Sequence, residues 1–205
     1  MPKIILVANS EHVKDINSQL SSEDILVRFN APKSTTIQKT GGRTNYVFLA
    51  NTVNLLQGRI RKGYHRSKLL KGDDVQLVFP YSDQLIQQIN PYFQPKALLP
   101  FMTKPEKQKN WDNAKYVDIF KAQGVETFIL SESIYYQAQK TLGISNEHII
   151  STGLLALFYF LNHPDYKTYQ IYLNGFSFQG WKGHDWQAEQ NYVKRLLDEG
   201  KIQKI

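Results

Sequence analysis

The chain has no cysteine among its 205 residues. Disulfides, thiolate catalysis and cysteine-bound metals are thereby excluded, and the absence fits a reducing compartment. Long hydrophobic runs are also missing. The opening MPKIILVANSEHVK is too short in its apolar stretch for a leader or an anchor, and the run at 149–161 is too short to span a bilayer. There is no internal repeat, low-complexity tract or clear linker. Neither a Walker loop nor a dinucleotide fingerprint occurs, since Gly41-Gly42 is a lone pair without their spacing. No convincing acidic cluster offers itself to a metal. These absences predict a soluble, cytoplasmic protein made of one domain over residues 1–205.

Positive charge is plentiful. Lys and Arg number 25 against 18 Asp and Glu, a formal net charge of +7. Such a balance favours anionic partners: nucleotides, acidic sugars, anionic lipid surfaces or nucleic acid. The densest stretch is 58–72, with Arg59, Arg61, Lys62, Arg66, Lys68 and Lys71. No regular aromatic interleaving or known nucleic-acid module accompanies it, so a solvated or mobile lid is expected rather than a specific nucleic-acid partner. Peripheral contact with an anionic inner membrane face remains compatible with it. Residues 91–113, rich in proline and lysine, read as an irregular insertion, placing a lid or insertion within 58–113.

Short apolar, β-branched runs read as strands at Lys3–Ala8, Ile25–Phe29, Tyr46–Ala50, Val75–Phe79, Val125–Leu130 and Tyr169–Gly175. Helical patterns are expected over 11–20, 82–90, 114–123, 131–142, 154–161 and after 184, with 31–44 as a loop. The alternation predicts a doubly wound, mainly parallel α/β sheet with helices on both faces. Ligands in such sheets lie beyond the carboxyl ends of the strands. Asn9, Asn30 and Asn51 each follow a strand, although Asn also simply favours turns.

Residues 151–189 hold the most information. Ser151 or Thr152 can cap the almost wholly apolar helix that follows, and a helix start also attracts anions. Further on, Trp186, Glu189, Val193 and Leu196 share one helical face. A carboxylate on an apolar stripe needs a partner. His184 stands just before that helix. On spacing alone, an ordinary capped helix and an unremarkable loop His are the better readings.

Taken in order, ANS at 8–10, DILVRFNAP at 24–32, GGRT at 41–44, STG at 151–153, and His184 with four residues before Glu189 resemble the motifs of sialyltransferases. The match covers the first and last quarters of the chain, and RFNAP is its most specific element. The resemblance implies a Rossmann-like, GT-A-type sialyltransferase fold. It also implies an inverting, metal-independent transfer of an acidic sugar, sialic acid above all, from a CMP-sugar donor to a glycan acceptor, with no cofactor. By the resemblance, Asn9 with Ser10 and Asn30 bind the donor nucleotide. Ser151, Thr152 and Gly153 lie against nucleotide and sugar, with Gly175 and Phe176 beside them. His184 is the general base, Glu189 orients, and Asn51 contacts the sugar carboxylate.

Lys182 and Arg43 are candidates for the leaving phosphate. The sequence departs from the family at three points. Ala8 replaces a glycine. The cysteine pair of animal enzymes is missing, as in the bacterial branch. The phosphate-contacting tyrosines expected after NGFSF are replaced by Gln179, Trp181 and Lys182. Two alternatives follow: a degenerate CMP- or nucleotide-binding protein, and a basic nucleic-acid or membrane-surface binder.

Overall fold

The computed structural model describes residues 1–72, 74–88, 112–145 and 148–205. Most of the expected insertion at 91–113 lies outside the described residues. The strands are β1 (Lys3–Val7), β2 (Ile25–Phe29), β3 (Tyr46–Phe48), β4 (Gln76–Phe79), β5 (Glu126–Ile129), β6 (Gln170–Asn174) and β7 (Ile202–Lys204). They form one sheet in the order β5-β4-β3-β2-β1-β6-β7, and every pairing is parallel. The chain lays strands outward from β1 to β5, then returns to the other side of β1. The order therefore reverses between β1 and β6, where an open α/β sheet leaves a crevice at its carboxyl edge.

Alternation along each strand supplies both layers. Ile4, Leu6, Val27, Phe29 and Phe48 face one side, where they pack with α5 (Glu132–Leu142), α6 (Thr152–Asn162) and α7 (Trp186–Asp198). Val47, Leu49, Leu77 and Phe79 face the other, against α2 (Val53–Arg61) and α4 (Asn113–Lys121). Ile5 and Val7 on that side are covered by Val13 and Ile16. Helix α6 carries eight buried residues, as its apolar sequence requires. It starts at Ser151, whose hydroxyl accepts a hydrogen bond from the Leu154 N–H at 3.2 Å. A short helix, α3 (Asp83–Gln88), adds Leu85 and Ile86 to the first layer.

Two expectations change, and two further features appear. Residues 11–20 form turns with a single short 3-10 segment, Asn17–Gln19, rather than a helix. Their Val13 and Ile16 spacing reflects packing of an irregular segment on the sheet. Residues 31–44 are not all loop, because α1 (Ser34–Thr40) forms there. Its Ser, Thr and Ile residues are weak helix formers, but Thr40 donates back to the Thr36 carbonyl at 2.7 Å and receives Arg28 at 2.8 Å. The edge strand β7 follows α7 through Gly200 and holds Ile202 in the core. Part of 58–72 packs on the second layer. Leu70 is buried, Ile60, Tyr64 and Leu69 pack on the core, and the Tyr64 hydroxyl donates to the Asn30 carbonyl.

Candidate active site

A cavity of about 360 Å3 opens at the carboxyl edge between β1 and β6. Four chain segments meet in it: the turn after β1 with Asn9 and Ser10, the end of β2 with Phe29 and Asn30, the start of α6, and the β6–α7 loop.

Asn9 is fixed by its Nδ2, which donates to the Phe29 carbonyl at 2.7 Å. Its Oδ1 is buried without a partner among the described residues. A buried acceptor left open beside a cavity is ready for a ligand donor. Ser10 is committed otherwise: its hydroxyl donates to the Gly175 carbonyl and accepts from the His12 N–H, tying the β1 and β6 loops together. Asn30 adopts a left-handed conformation with φ 57°, which Asn tolerates better than most residues. Its N–H donates to the Phe48 carbonyl and its Oδ1 accepts from the Ala50 N–H. The Nδ2 donor is what remains for the cavity.

The start of α6 is held by a buried carboxylate. Glu189 accepts from the Ser151 N–H at 2.7 Å and from the Ser151 hydroxyl at 2.6 Å. It is 1% exposed, and burial pushes its carboxyl up to about 7 against the opposing pull of those two hydrogen bonds. The N–H groups of Thr152 and Gly153, in the first turn of α6, have no carbonyl to reach within the helix. They are the free ends of the helix dipole at the cavity wall. The Thr152 side chain is hydrogen-bonded to the buried Tyr81 hydroxyl, which itself donates to the Ile150 carbonyl at 3.0 Å.

His184 stands across the same cavity. Its Nδ1 lies 2.6 Å from the Ile149 carbonyl. A carbonyl only accepts, so Nδ1 carries the proton and Nε2 presents a lone pair. Burial holds the imidazole below the ordinary histidine value; the Ile149 bond opposes that shift and His148 adds to it. The ring is therefore neutral and basic at neutral pH. Trp181 and Trp186 approach it edge-on, with centroids 5.0 and 4.8 Å away. Asp185, not His184, caps α7, accepting from the Ala188 N–H at 3.0 Å.

Asn9, Ser10, Asn30, Ser151, Thr152, Gly153, Phe176, His184 and Glu189 thus converge on one cavity. Four expected residues do not. Arg43 lies at the opposite edge of the sheet, where its guanidinium donates to the carbonyls of Ser21, Ser22 and Asp24. Asn51 is buried among Tyr81 and Asn113, donating to the Tyr81 carbonyl at 2.6 Å and accepting from its N–H at 3.1 Å. It joins the ends of β3 and β4 to the start of α4. Gly175 packs instead of lining: at φ 77°, an added Cβ would meet Val13 at 2.5 Å. Lys182 is exposed and outside the cavity lining. Among the described residues no Lys or Arg lines the cavity.

Sequence reasoning missed the Ile149 carbonyl that sets the His184 tautomer, and the enclosing role of Trp186 and Phe178. Trp186 was visible on the apolar face of α7. A backbone carbonyl leaves no signal in the sequence. Among the described residues no group of three or more His, Asp or Glu could hold a metal, and no helix is long and apolar enough to cross a membrane.

A parallel sheet with a polar cavity at its strand-order reversal is the architecture of a ligand-binding, doubly wound α/β protein. No family model matches this chain, and no curated protein does. Among solved structures, its fold is that of sialyltransferases. CstII of Campylobacter jejuni, solved with the substrate analogue CMP-3FNeuAc, aligns over 100% of this chain and 79% of its own, with TM-score 0.53 and 15% identity. An α-2,3-sialyltransferase of the same organism gives TM-score 0.54 and 19% identity over 100% of this chain and 74% of its own. A mammalian sialyltransferase gives TM-score 0.54 and 15% identity over 99% and 68%.

Proposed function

We propose that this protein is an inverting, metal-independent glycosyltransferase that moves an acidic sugar, most simply sialic acid, from a CMP-sugar to a glycan hydroxyl. One observation carries the reading: in a sialyltransferase fold, the open Asn9 acceptor, the free start of α6 and the His184 base meet at the β1/β6 crevice. The acceptor hydroxyl gives its proton to His184 Nε2 as its oxygen bonds the anomeric carbon. The bond from that carbon to the CMP phosphate breaks, and its electron pair leaves on a phosphate oxygen. The Thr152 and Gly153 N–H groups face the charge that grows there. Attack opposite the leaving group inverts the anomeric centre.

Glu189 does not touch reacting atoms in this scheme; it positions Ser151 and, through it, the helix start. His184→Ala should cut transfer by roughly 10²–10⁴-fold while CMP affinity stays within a few-fold. Wild-type transfer by that variant would remove the base assignment.

The Gln179, Trp181 and Lys182 that stand where the family's phosphate-contacting tyrosines are expected favour a second reading, a nucleotide binder without turnover. Calorimetry with CMP followed by a donor-hydrolysis and transfer assay separates the two. Binding without turnover of any acidic-sugar donor supports the second.

A further inference from the structure

A second cavity, of about 870 Å3, lies on the other side of the Phe176–Gln179 strip. Phe176, Ser177, Phe178 and Gln179 line both cavities and form their common wall. Phe178 holds that wall at φ 50°, a left-handed conformation that bulky residues rarely adopt. The floor of the second cavity is apolar, with Leu173 and Val193. Its rim is cationic: Lys14 from the loop after β1, Lys194 from α7 and Lys204 from β7, beside the terminal Ile205, with no Asp or Glu side chain in the lining among the described residues.

Two features make this a formed groove rather than scattered surface charge. First, the backbone under Lys14 is fixed by a fully buried amide. Asn174 Oδ1 accepts from the Lys14 N–H at 2.9 Å, and its Nδ2 donates to the Lys14 carbonyl at 3.1 Å. Second, Gln187, Gln190, Asn191 and Lys194 lie on one ridge of α7 at spacings of three and four, and all four line the groove. Gln187 Nε2 donates to Asn191 Oδ1 at 2.9 Å, which leaves the Gln187 carbonyl and the Asn191 amine for a ligand. None of the three lysines takes part in an ion pair among the described residues.

Three lysines around a concave surface raise the local concentration of anions. Amides that offer both a donor and an acceptor suit vicinal hydroxyls. The two phenylalanines are half-buried in the wall, which reduces the ring surface that stacked bases need. A concave groove also suits a flat membrane poorly. The volume falls in the range that encloses a small ligand.

We propose that this groove binds an acidic oligosaccharide, with Lys14, Lys194 and Lys204 on its carboxylates and the α7 amides on its hydroxyls. Its use as a subsite for the acceptor glycan rests on the transferase reading; the binding itself does not.

The test is calorimetric titration of the full chain with trigalacturonate, neutral maltotriose and CMP. Three proteins are compared: wild type, Lys14→Gln/Lys194→Gln, and Lys62→Gln/Lys68→Gln as a charge-matched control. Trigalacturonate should bind the wild type and the control alike, and bind the groove variant at least tenfold more weakly. Maltotriose should bind at least tenfold more weakly than trigalacturonate, and CMP affinity should be equal in all three. The proposal is overturned if trigalacturonate does not bind, if the control loses as much as the groove variant, or if maltotriose binds as tightly. It is also overturned if a thymidylate trimer or phosphatidylserine vesicles engage the same lysines more tightly than trigalacturonate. Trigalacturonate binding with no CMP binding to the wild type would sink the transferase reading and leave the groove standing.

Discussion

Two buried polar clusters flank the same sheet, and only one of them lines the β1/β6 cavity. At the amino edge, Arg28 is fully buried with no carboxylate beside it, and burial lowers it to about 10. Its guanidinium donates to the hydroxyls of Thr40 and Thr44 and to the carbonyls of Gly41 and Arg43. Arg43 in turn clamps the turn before β2. Every guanidinium nitrogen of Arg28 has an acceptor, so this cluster is mortar between α1, the 41–44 turn and β2. At the carboxyl edge, hydrogen bonding stops short of completion. Asn9 keeps an open acceptor, His184 an open lone pair, and the start of α6 two free N–H groups. A cation that looks available in sequence can be turned to the fold, as both terminal nitrogens of Arg43 are, although its buried Nε has no partner among the described residues; a site is marked by polar groups that are held in place, not used up and open on a cavity.

That contrast can be broken in steps. The largest expected effect is His184→Ala, with transfer falling by roughly 10²–10⁴-fold as for the loss of a general base. In the wild type, the acid limb of the rate profile should lie below the ordinary histidine value, because burial lowers the imidazole. Next, Gly175→Ala should destabilise by about 1–3 kcal/mol, since the new Cβ clashes with Val13 and the positive φ strains any side chain. Thermal melts would check this, and an unchanged midpoint would undo the packing role. Asn9→Ala should weaken CMP binding about tenfold, in keeping with one lost hydrogen bond of about 1–1.5 kcal/mol.

Glu189 sharpens the comparison through pH. Its folded value, about 7, is raised above the ordinary 4.5. The folded state then holds its proton more tightly, so the stability this group contributes is fully present below about 4.5. That stability is lost as pH rises through about 7. Denaturant melts between those values should show this decline in the wild type and a flatter profile in Glu189→Gln. Equal slopes would mean that the carboxyl titrates normally. Smallest of all, Arg43→Ala should leave CMP affinity untouched and cost about 1–2 kcal/mol of stability.

Much of the architecture was legible in the sequence because buried parallel strands are short, apolar and β-branched. Six strands and the parallel order followed from that pattern and its alternation with helices. The helix α1 was hidden because its hydrogen bonds come from Arg28 and Thr40, not from propensity. The pattern at 11–20 misled because Val13 and Ile16 bury themselves without a helix. Within the site, the resemblance gathered Asn9, Asn30, Ser151, His184 and Glu189, which the fold brings to one cavity. It could not show that Arg43 and Asn51 are consumed elsewhere, since which face and edge a side chain serves depends on strand order and turn geometry.

The most direct measurement is a crystal of this protein soaked with CMP. The account predicts one nucleotide in the β1/β6 crevice, with Asn9 Oδ1 accepting from it, its phosphate facing the Thr152 and Gly153 N–H groups, and Arg43 untouched. A nucleotide bound at the amino edge beside Arg43, or none bound at millimolar CMP, would contradict it.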